Sequence, residues 1–274
     1  MERSRHWLRR LRRIWAVLGS AAFVIFSGWS VIAYRASPIA HAALRSDAQV
    51  QVTETNDSWT FIPREAPAQP TNLLFFPGAI VSPVAYAPLA RAVAIAGFST
   101  TILKLPRRGA FGGANDPRLF ARARALMAAG AGSKAWVVGG HSRGAVVATQ
   151  LAAGRPKGLA GLVFIGSSHP RDVSLATLDI PVTKIVGTRD GLASPDEVKA
   201  NAHNLPASTR WVWIEGGNHS QFGWYGFQPG DRFARIPAAE QRAAMIAAVL
   251  EMMHAVNEQP QGTSIIPSAN EKIQ

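Results

Sequence analysis

The residues best suited to chemistry are a serine and its neighbours, Gly140-His141-Ser142-Arg143-Gly144. The apolar run 135–139 before them predicts a buried strand, and the run 145–153 after them predicts a helix. A G-x-S-x-G sequence between a strand and a helix is typical of a nucleophile elbow, a sharp turn that projects the serine hydroxyl above the sheet. Gly140 and Gly144 fit this interpretation, because the strained turn leaves no room for side chains two positions away from the serine.

A serine hydroxyl is a weak nucleophile at neutral pH and needs a base, which in turn needs a group that orients it. Asp190 follows the β-branched run 182–186, and His219 follows the run 211–214 across a glycine-rich turn. Since the carboxyl ends of parallel strands meet at one edge of a sheet, the order Ser, Asp, His predicts a catalytic triad of Ser142, Asp190 and His219.

Other residues could take these roles. Asp172 also follows a predicted strand and is the alternative acid, while Asp190 could instead shape a turn before the helix that begins near Pro195. Among seven histidines, His169 is the main alternative base, since it too follows a strand. The chain order expected of a nucleophile elbow favours His219.

Residues near the triad could bind substrate. Gln221, Phe222 and Tyr225 follow the predicted base and are expected to line the pocket, with packing as the alternative role. The segment 107–113 carries two arginines and could bind an anionic group, or could be an exposed loop.

The N-terminus predicts a membrane anchor. Residues 14–33 contain no charged residue, and at about 1.5 Å per residue they would cross a hydrocarbon layer of about 30 Å as a helix. Residues 1–13 carry six arginines and one glutamate, so the positive-inside rule puts them in the cytoplasm and the chain after residue 34 outside. The alternative is a secretory signal cleaved near Ala40-His41-Ala42, which would release the protein.

Composition narrows the function further. Residues 1–13 carry +5 of the net charge of +12, and the rest is spread along the chain without a recognisable nucleic-acid module, so an anionic membrane surface is the expected partner and nucleic acid is not. The chain has no cysteine, which excludes disulfides, thiolate catalysis and cysteine-ligated zinc. We expect no metal and no cofactor.

Strands that alternate with helices predict an α/β fold with a mostly parallel sheet and helices on both faces. We divide the chain into a basic segment (1–13), an anchor (14–34), a linker (35–47), a catalytic domain (48–257) and a disordered tail (258–274). The domain should open with an antiparallel hairpin at 49–62. Only about 16 residues separate the strand that ends near Gly166 from the next, so the site should have little or no cap.

Three stretches carry a family resemblance: Phe76-Pro77-Gly78-Ala79 with Tyr86-Ala87-Pro88-Leu89-Ala90, Gly187-Thr188-Arg189-Asp190-Gly191, and Glu215-Gly216-Gly217-Asn218-His219-Ser220-Gln221-Phe222-Gly223. With the elbow, they make residues 70–256 resemble the α/β-hydrolase superfamily. More narrowly, the chain is similar to small lidless bacterial α/β-hydrolases that are often compared with dienelactone hydrolases.

The resemblance implies a serine hydrolase, most simply one that cleaves carboxylic esters, with amide or peptide hydrolysis as the alternative. A non-catalytic binding protein on the same fold is a third reading. The H-G-G-G oxyanion loop of many relatives is missing. Pro77-Gly78-Ala79 stands in its place, so the resemblance implies the backbone amides of Ala79 and Arg143 as the oxyanion donors. Dienelactone hydrolases use a cysteine nucleophile, which this chain lacks, so their substrate is not carried over.

Overall fold

A computed structural model describes residues 2–129 and 135–258, and its centre is one eight-stranded sheet. The strands are β1 (Val50–Glu54), β2 (Ser58–Pro63), β3 (Thr71–Phe76), β4 (Thr100–Leu103), β5 (Ala135–His141), β6 (Leu159–Ile165), β7 (Val182–Gly187) and β8 (Arg210–Ile214). They lie in the order β1-β2-β4-β3-β5-β6-β7-β8. Strands β1 and β2 form the predicted antiparallel edge hairpin, and the other six strands, β3 to β8, run parallel to one another.

Helices cover both faces of the sheet, as predicted. The α-helices of the described residues are α1 (Glu2–Ala33), α2 (Pro38–Ala42), α3 (Ala87–Ile95), α4 (Pro117–Ala129), α5 (Arg143–Ala153), α6 (Pro195–Ala200) and α7 (Ala238–Glu258). Successive residues of β3 point to opposite faces. Leu73 and Phe75 pack in a core with α3 and α7, whereas Leu74 and Phe76 pack in a second core with α4 and α5. The predicted α/β class with helices on both faces is confirmed.

The carboxyl ends of the parallel strands all lie at one end of the sheet, which we call the carboxyl edge. Five segments there follow β3, β4, β5, β6 and β7 in turn, and a sixth, residues 215–237, follows β8. The segment between β6 and β7, residues 166–181, is described in full and contains no α-helix. The absence of a helical cap agrees with the prediction.

Helix α1 stands out because its apolar side chains lie mostly outside the protein core. Trp15, Phe23 and Ile25 are exposed, and by length and composition the helix could cross a membrane; a signal sequence has the same properties. The segment 35–47, predicted as a linker, contains α2 and packs on the domain through Ala40 and Ala43. Residues 259–274 of the predicted tail lie outside the described residues.

Candidate active site

Ser142 lies in a strained turn between β5 and α5. Its φ of 52° and ψ of −117° are unfavourable for a residue with a side chain. A Cβ atom on Gly140 would lie 2.3 Å from the carbonyl carbon of Gly144, and one on Gly144 would lie 1.9 Å from the carbonyl oxygen of Phe76. Close backbone contacts therefore require glycine at both positions, as the G-x-S-x-G sequence predicts.

Asp190 and His219 form a buried hydrogen-bonded pair. The Nδ1 atom of His219 lies 2.8 Å from Oδ2 of Asp190, and both side chains are almost fully removed from solvent. The other carboxylate oxygen, Oδ1, accepts hydrogen bonds from the backbone amides of Leu192 and Ala193 at 2.8 and 2.7 Å. Because a carboxylate can only accept, the hydrogen of the neutral imidazole lies on Nδ1, and Nε2 carries the lone pair of a general base.

A cavity of about 220 Å³ joins the serine to this histidine. Within the described residues, Nε2 of His219 forms no hydrogen bond although it is buried. Its partner in catalysis would be the hydroxyl of Ser142, which lines the same cavity. The other lining residues are Arg143, Val146, Gly166, Ser167, Ser168, His169, Arg171, Leu192 and Ala193.

The two alternative residues lie in different positions. Asp172 is exposed on the segment after β6, while the carboxylate that reaches an imidazole is that of Asp190. His169 is half-buried and lines the cavity beside Ser142. Burial lowers the pKa of His169, and the neighbouring Arg171 lowers it further. The geometry therefore favours Asp190 and His219 as the acid and the base.

A second hydrogen-bond network supports the site from below. The hydroxyl of Tyr86 accepts a hydrogen bond from the amide of Gly78 at 3.1 Å and lies 2.7 Å from Nδ1 of His141. Burial raises the pKa of Tyr86 and, together with His219, lowers that of His141. The phenol therefore keeps its proton and donates a hydrogen bond to Nδ1 of the neutral His141 imidazole. The rings of His141 and His219 lie 4.5 Å apart, so the network packs against His219. It also holds the loop after β3 through the amide of Gly78.

Asp231 holds the loop that carries His219 against the loop that carries Asp190, and the sequence did not predict this role. Its carboxylate accepts hydrogen bonds from the backbone amides of His219 at 3.3 Å, Ser220 at 2.8 Å and Gly191 at 3.0 Å. The only sequence signal is its position after Pro229-Gly230, a turn that brings a carboxylate back toward the preceding loop.

The two amides expected to bind an oxyanion are uncommitted. Neither the amide of Ala79 nor that of Arg143 donates a hydrogen bond to an acceptor in the described part of the chain. The amide of Gly78, in contrast, donates to Tyr86, and that of Ile80 donates to the carbonyl of Arg108 at 2.7 Å. Both neighbours of the Ala79 amide are thus held in place while its own hydrogen remains available.

The three residues predicted to bind substrate lie elsewhere. Phe222 is fully buried, with its ring 5.8 Å from that of His141, and it packs in the core beneath the histidines. Gln221 and Tyr225 line a separate cavity of about 310 Å³. The chain reverses in a short 3₁₀ helix, Ser220–Phe222, which turns these side chains away from the cavity at Ser142. Phe222 therefore packs in the core, whereas a substrate-binding role for Gln221 and Tyr225 stays a prediction.

The two arginines of the segment 107–113 line another cavity, about 620 Å³ in volume. Its walls come from the β1–β2 hairpin and from the segments that follow β3 and β4, and they carry both carboxylates and cations. Ser142 and His219 line a different cavity. The smaller cavity, which both Ser142 and His219 line, is therefore the candidate active site.

A buried lysine lies behind the catalytic cavity. The ammonium of Lys184, on β7, donates a hydrogen bond to the backbone carbonyl of His169. Burial in the core lowers the pKa of Lys184 to about 7. The lysine thus supports the cavity wall through one hydrogen bond, at the cost of removing a charged group from water.

We expect Lys184→Met to stabilise the protein in a pH-dependent way. The unfolded chain keeps a lysine pKa near ~10.4, so between about pH 7 and this value the unfolded state binds more protons and wild-type stability rises with pH. The gain in free energy of unfolding on substitution should be largest below pH 7 and should shrink by roughly 5 kcal/mol as the pH rises toward ~10, since each unit between the two pKa values is worth about 1.4 kcal/mol. Urea unfolding across this pH range measures it. The matched control, Lys199→Met at an exposed lysine, should show no such trend; an equal gain at all pH values would contradict the assignment.

Comparison with known proteins agrees with this geometry. A model of the alpha/beta hydrolase family matches residues 72–243. No curated protein sequence matches the chain significantly.

Solved structures with a similar fold share little sequence with the chain. A dienelactone hydrolase from Anabaena variabilis is 19% identical, with 74% of this chain and 98% of that chain covered and a TM-score of 0.54. A serine hydrolase without a lid from Xanthomonas campestris is 15% identical, with coverage of 76% and 97% and a TM-score of 0.52. An esterase from the planctomycete Thermogutta terrifontis is also 15% identical, with coverage of 78% and 95% and a TM-score of 0.52. At these identities the likeness concerns the fold.

Proposed function

The chain belongs to the alpha/beta hydrolase family, and on that premise we propose that it is a membrane-anchored serine hydrolase that cleaves carboxylic esters. The observation that carries the proposal is the buried pair of Asp190 and His219, whose unbonded Nε2 shares a cavity with Ser142. A buried nitrogen without a partner is costly in a folded protein. Here the cost has a function, because the lone pair is kept for a proton from the serine.

The proposed reaction has two steps that mirror each other. The Nε2 atom of His219 takes the hydroxyl proton of Ser142 as the serine oxygen attacks the ester carbonyl. Asp190 stabilises the imidazolium, and the amides of Ala79 and Arg143 bind the oxyanion. The tetrahedral intermediate collapses as the imidazolium gives its proton to the departing alkoxide. Water, deprotonated by His219, then attacks the acyl-enzyme, and the serine leaves with the proton.

Amide or peptide hydrolysis is the first alternative. The same triad would carry it, and the difference lies in how the leaving group is bound. The cavity at Ser142 is open and small, about 220 Å³, and has no helical cap over it in the described residues 166–181. A small cavity favours substrates with small groups near the carbonyl. An open cavity favours esters over amides, since a leaving alkoxide needs less precise protonation than a leaving amine does.

A binding protein without activity is the second alternative. A protein that only binds ligands has no need for a strained serine at φ 52° or for a buried acid fixed by two backbone amides. Backbone strain of this kind costs about 1–3 kcal/mol and persists where it serves a function. The cost of the arrangement therefore favours catalysis.

The location at a membrane is part of the proposal. Helix α1 supplies the anchor, and the arginines before it favour a cytoplasmic N-terminus with the catalytic domain on the outer side. Cleavage as a signal sequence would instead release the domain.

Labelling with a fluorophosphonate probe tests the function. The probe phosphonylates an activated serine, and we expect one label on the tryptic peptide that contains Ser142 in the folded protein. Heat-denatured protein should stay unlabelled. Paired nitrophenyl esters and nitroanilides with the same acyl group would then separate ester from amide hydrolysis. Folded protein that takes up no label, or that takes it up at Ser167 of the same cavity, would overturn the proposal.

A further inference from the structure

The end of α1 is fastened to the loops of the carboxyl edge. The backbone carbonyl of Ala33 accepts a hydrogen bond from the amide of Gly226 at 2.8 Å, and that of Tyr34 accepts one from Ser82 at 3.0 Å. The amide of Ser37 donates to the carbonyl of Trp224 at 2.8 Å. Trp224 and Gly226 belong to the segment that carries His219, and Ser82 to the segment that carries Ala79. The helix therefore meets the domain on the side of the catalytic cavity.

A series of aromatic rings continues from the helix along this edge. Trp29 of α1 stacks on Phe227 with ring centroids 6.4 Å apart, and Phe227 stacks on Phe233 at 4.6 Å. Phe233 nevertheless remains 75% exposed. The apolar surface of α1 is thus continuous with an exposed apolar residue on the loop that follows the base.

Further exposed apolar side chains lie on the other loops of this edge. Phe111, after β4, is 92% exposed. Ile80, after β3, is 47% exposed, and Leu192, beside the acid, lines the cavity and is 36% exposed. We call these three residues and Phe233 the apolar rim. All four residues lie on segments that follow strands at the carboxyl edge, and large exposed apolar side chains collected at one end of a domain mark an interaction surface.

Exposed arginines accompany the apolar rim. Arg107 and Arg108 precede Phe111, while Arg232 and Arg235 flank Phe233. Aromatic and aliphatic side chains interleaved with arginine are typical of surfaces that lie in the interface of a bilayer, where the apolar groups enter the acyl boundary and the cations meet lipid phosphates.

We propose that the apolar rim rests on the same bilayer that α1 crosses, so that the catalytic cavity opens toward the membrane surface. The inference rests on the membrane anchor of the proposed function. It follows from one geometric fact: the end of α1 is hydrogen-bonded to the loops that carry His219 and Ala79, so the membrane is nearest to those loops. The substrate class that this selects is an amphiphilic ester that partitions into the bilayer, rather than one that reaches the cavity only from bulk water.

The absence of cysteine allows a direct test. We would make Phe111→Cys and Phe233→Cys in the full chain, attach an environment-sensitive nitrobenzoxadiazole label, and reconstitute each protein into phosphatidylcholine vesicles containing phosphatidylglycerol. Ile95→Cys is the matched control, because Ile95 is 42% exposed but ends α3 just before β4, at the opposite edge of the sheet. A doxyl-labelled lipid in the bilayer then quenches any label that lies in it.

At positions 111 and 233 we expect blue-shifted emission and at least twofold stronger quenching by doxyl lipid than at position 95. Equal emission and quenching at all three positions would overturn the proposal, and so would a chain that fails to float with the vesicles. Two rim positions guard against a variant that does not fold. Because the readout does not involve catalysis, an inactive protein that shows the expected quenching would refute the esterase proposal and leave this one standing.

Discussion

Ser142→Ala is expected to lower kcat toward nitrophenyl esters on the order of 10⁶-fold, the loss seen when the nucleophile of a serine hydrolase is removed. The reason is local: among the described residues that line the cavity shared with His219, Ser142 is the one with a side chain that lies in a strained turn. Alanine keeps the Cβ atom of the turn, so the melting temperature should change little. Steady-state kinetics with an active-site titration of the wild-type enzyme would measure the loss.

Ser167→Ala provides the matched control. Ser167 lines the same cavity, but its hydroxyl accepts a hydrogen bond from the backbone amide of His169 at 3.2 Å and is not near the elbow turn in the chain. We expect kcat to stay within about tenfold of wild type, since only one neutral hydrogen bond is lost. Equal losses in the two variants would mean that Ser142 is not the nucleophile.

The elbow turn and the residues of the Asp190–His219 pair can be identified from the sequence because each has a local signal. The elbow can be predicted because the backbone contacts that require Gly140 and Gly144 lie within the turn itself and at the end of the neighbouring strand β3. Asp190 is identifiable because it follows a β-branched run that can only be a buried strand. The mostly parallel sheet and the antiparallel hairpin follow from the same alternation of apolar runs and turns, whereas the order of the strands in the sheet does not.

The supporting network could not be predicted, because its partners are distant in sequence. Tyr86 reaches His141 across 55 residues, and Asp231 closes the loop of His219 onto Gly191 across 40. No periodic pattern marks such pairs, since each depends on the direction of one side chain after a loop. Phe222 illustrates the same limit: its place after the base suggested a pocket wall, but the 3₁₀ turn directs its ring into the core.

The segment after the anchor shows a further limit. Residues 35–47 lack an apolar run, which suggested a linker, yet Ala40 and Ala43 pack in the core and Ser37 caps the N-terminus of α2. Small residues bury little area each, so they leave a weak pattern in sequence. Because these residues pack, the segment that joins α1 to the domain is folded rather than a free linker.

Asp190→Asn is expected to lower kcat on the order of 10⁴-fold, through the tautomer of the base rather than through loss of structure. In the wild type, Oδ1 of Asp190 accepts hydrogen bonds from the amides of Leu192 and Ala193, while Oδ2 faces Nδ1 of His219. An asparagine must keep its oxygen toward the two amide donors, which leaves its NH₂ group facing Nδ1. The imidazole then has to accept at Nδ1 and carry its hydrogen on Nε2, so it can no longer take the proton of Ser142.

Two measurements separate this explanation from simple damage to the site. Nitrogen-15 NMR of His219 should show the hydrogen on Nδ1 in the wild type and on Nε2 in Asp190→Asn, and binding of substrate, measured by KM, should change far less than kcat. Asp172→Asn is the matched control: the residue is exposed on the segment after β6, so both the tautomer and kcat should remain as in the wild type. If Asp190→Asn kept kcat within tenfold while Asp172→Asn lost it, the acid of the triad would be Asp172, and the buried pair seen here would serve stability alone.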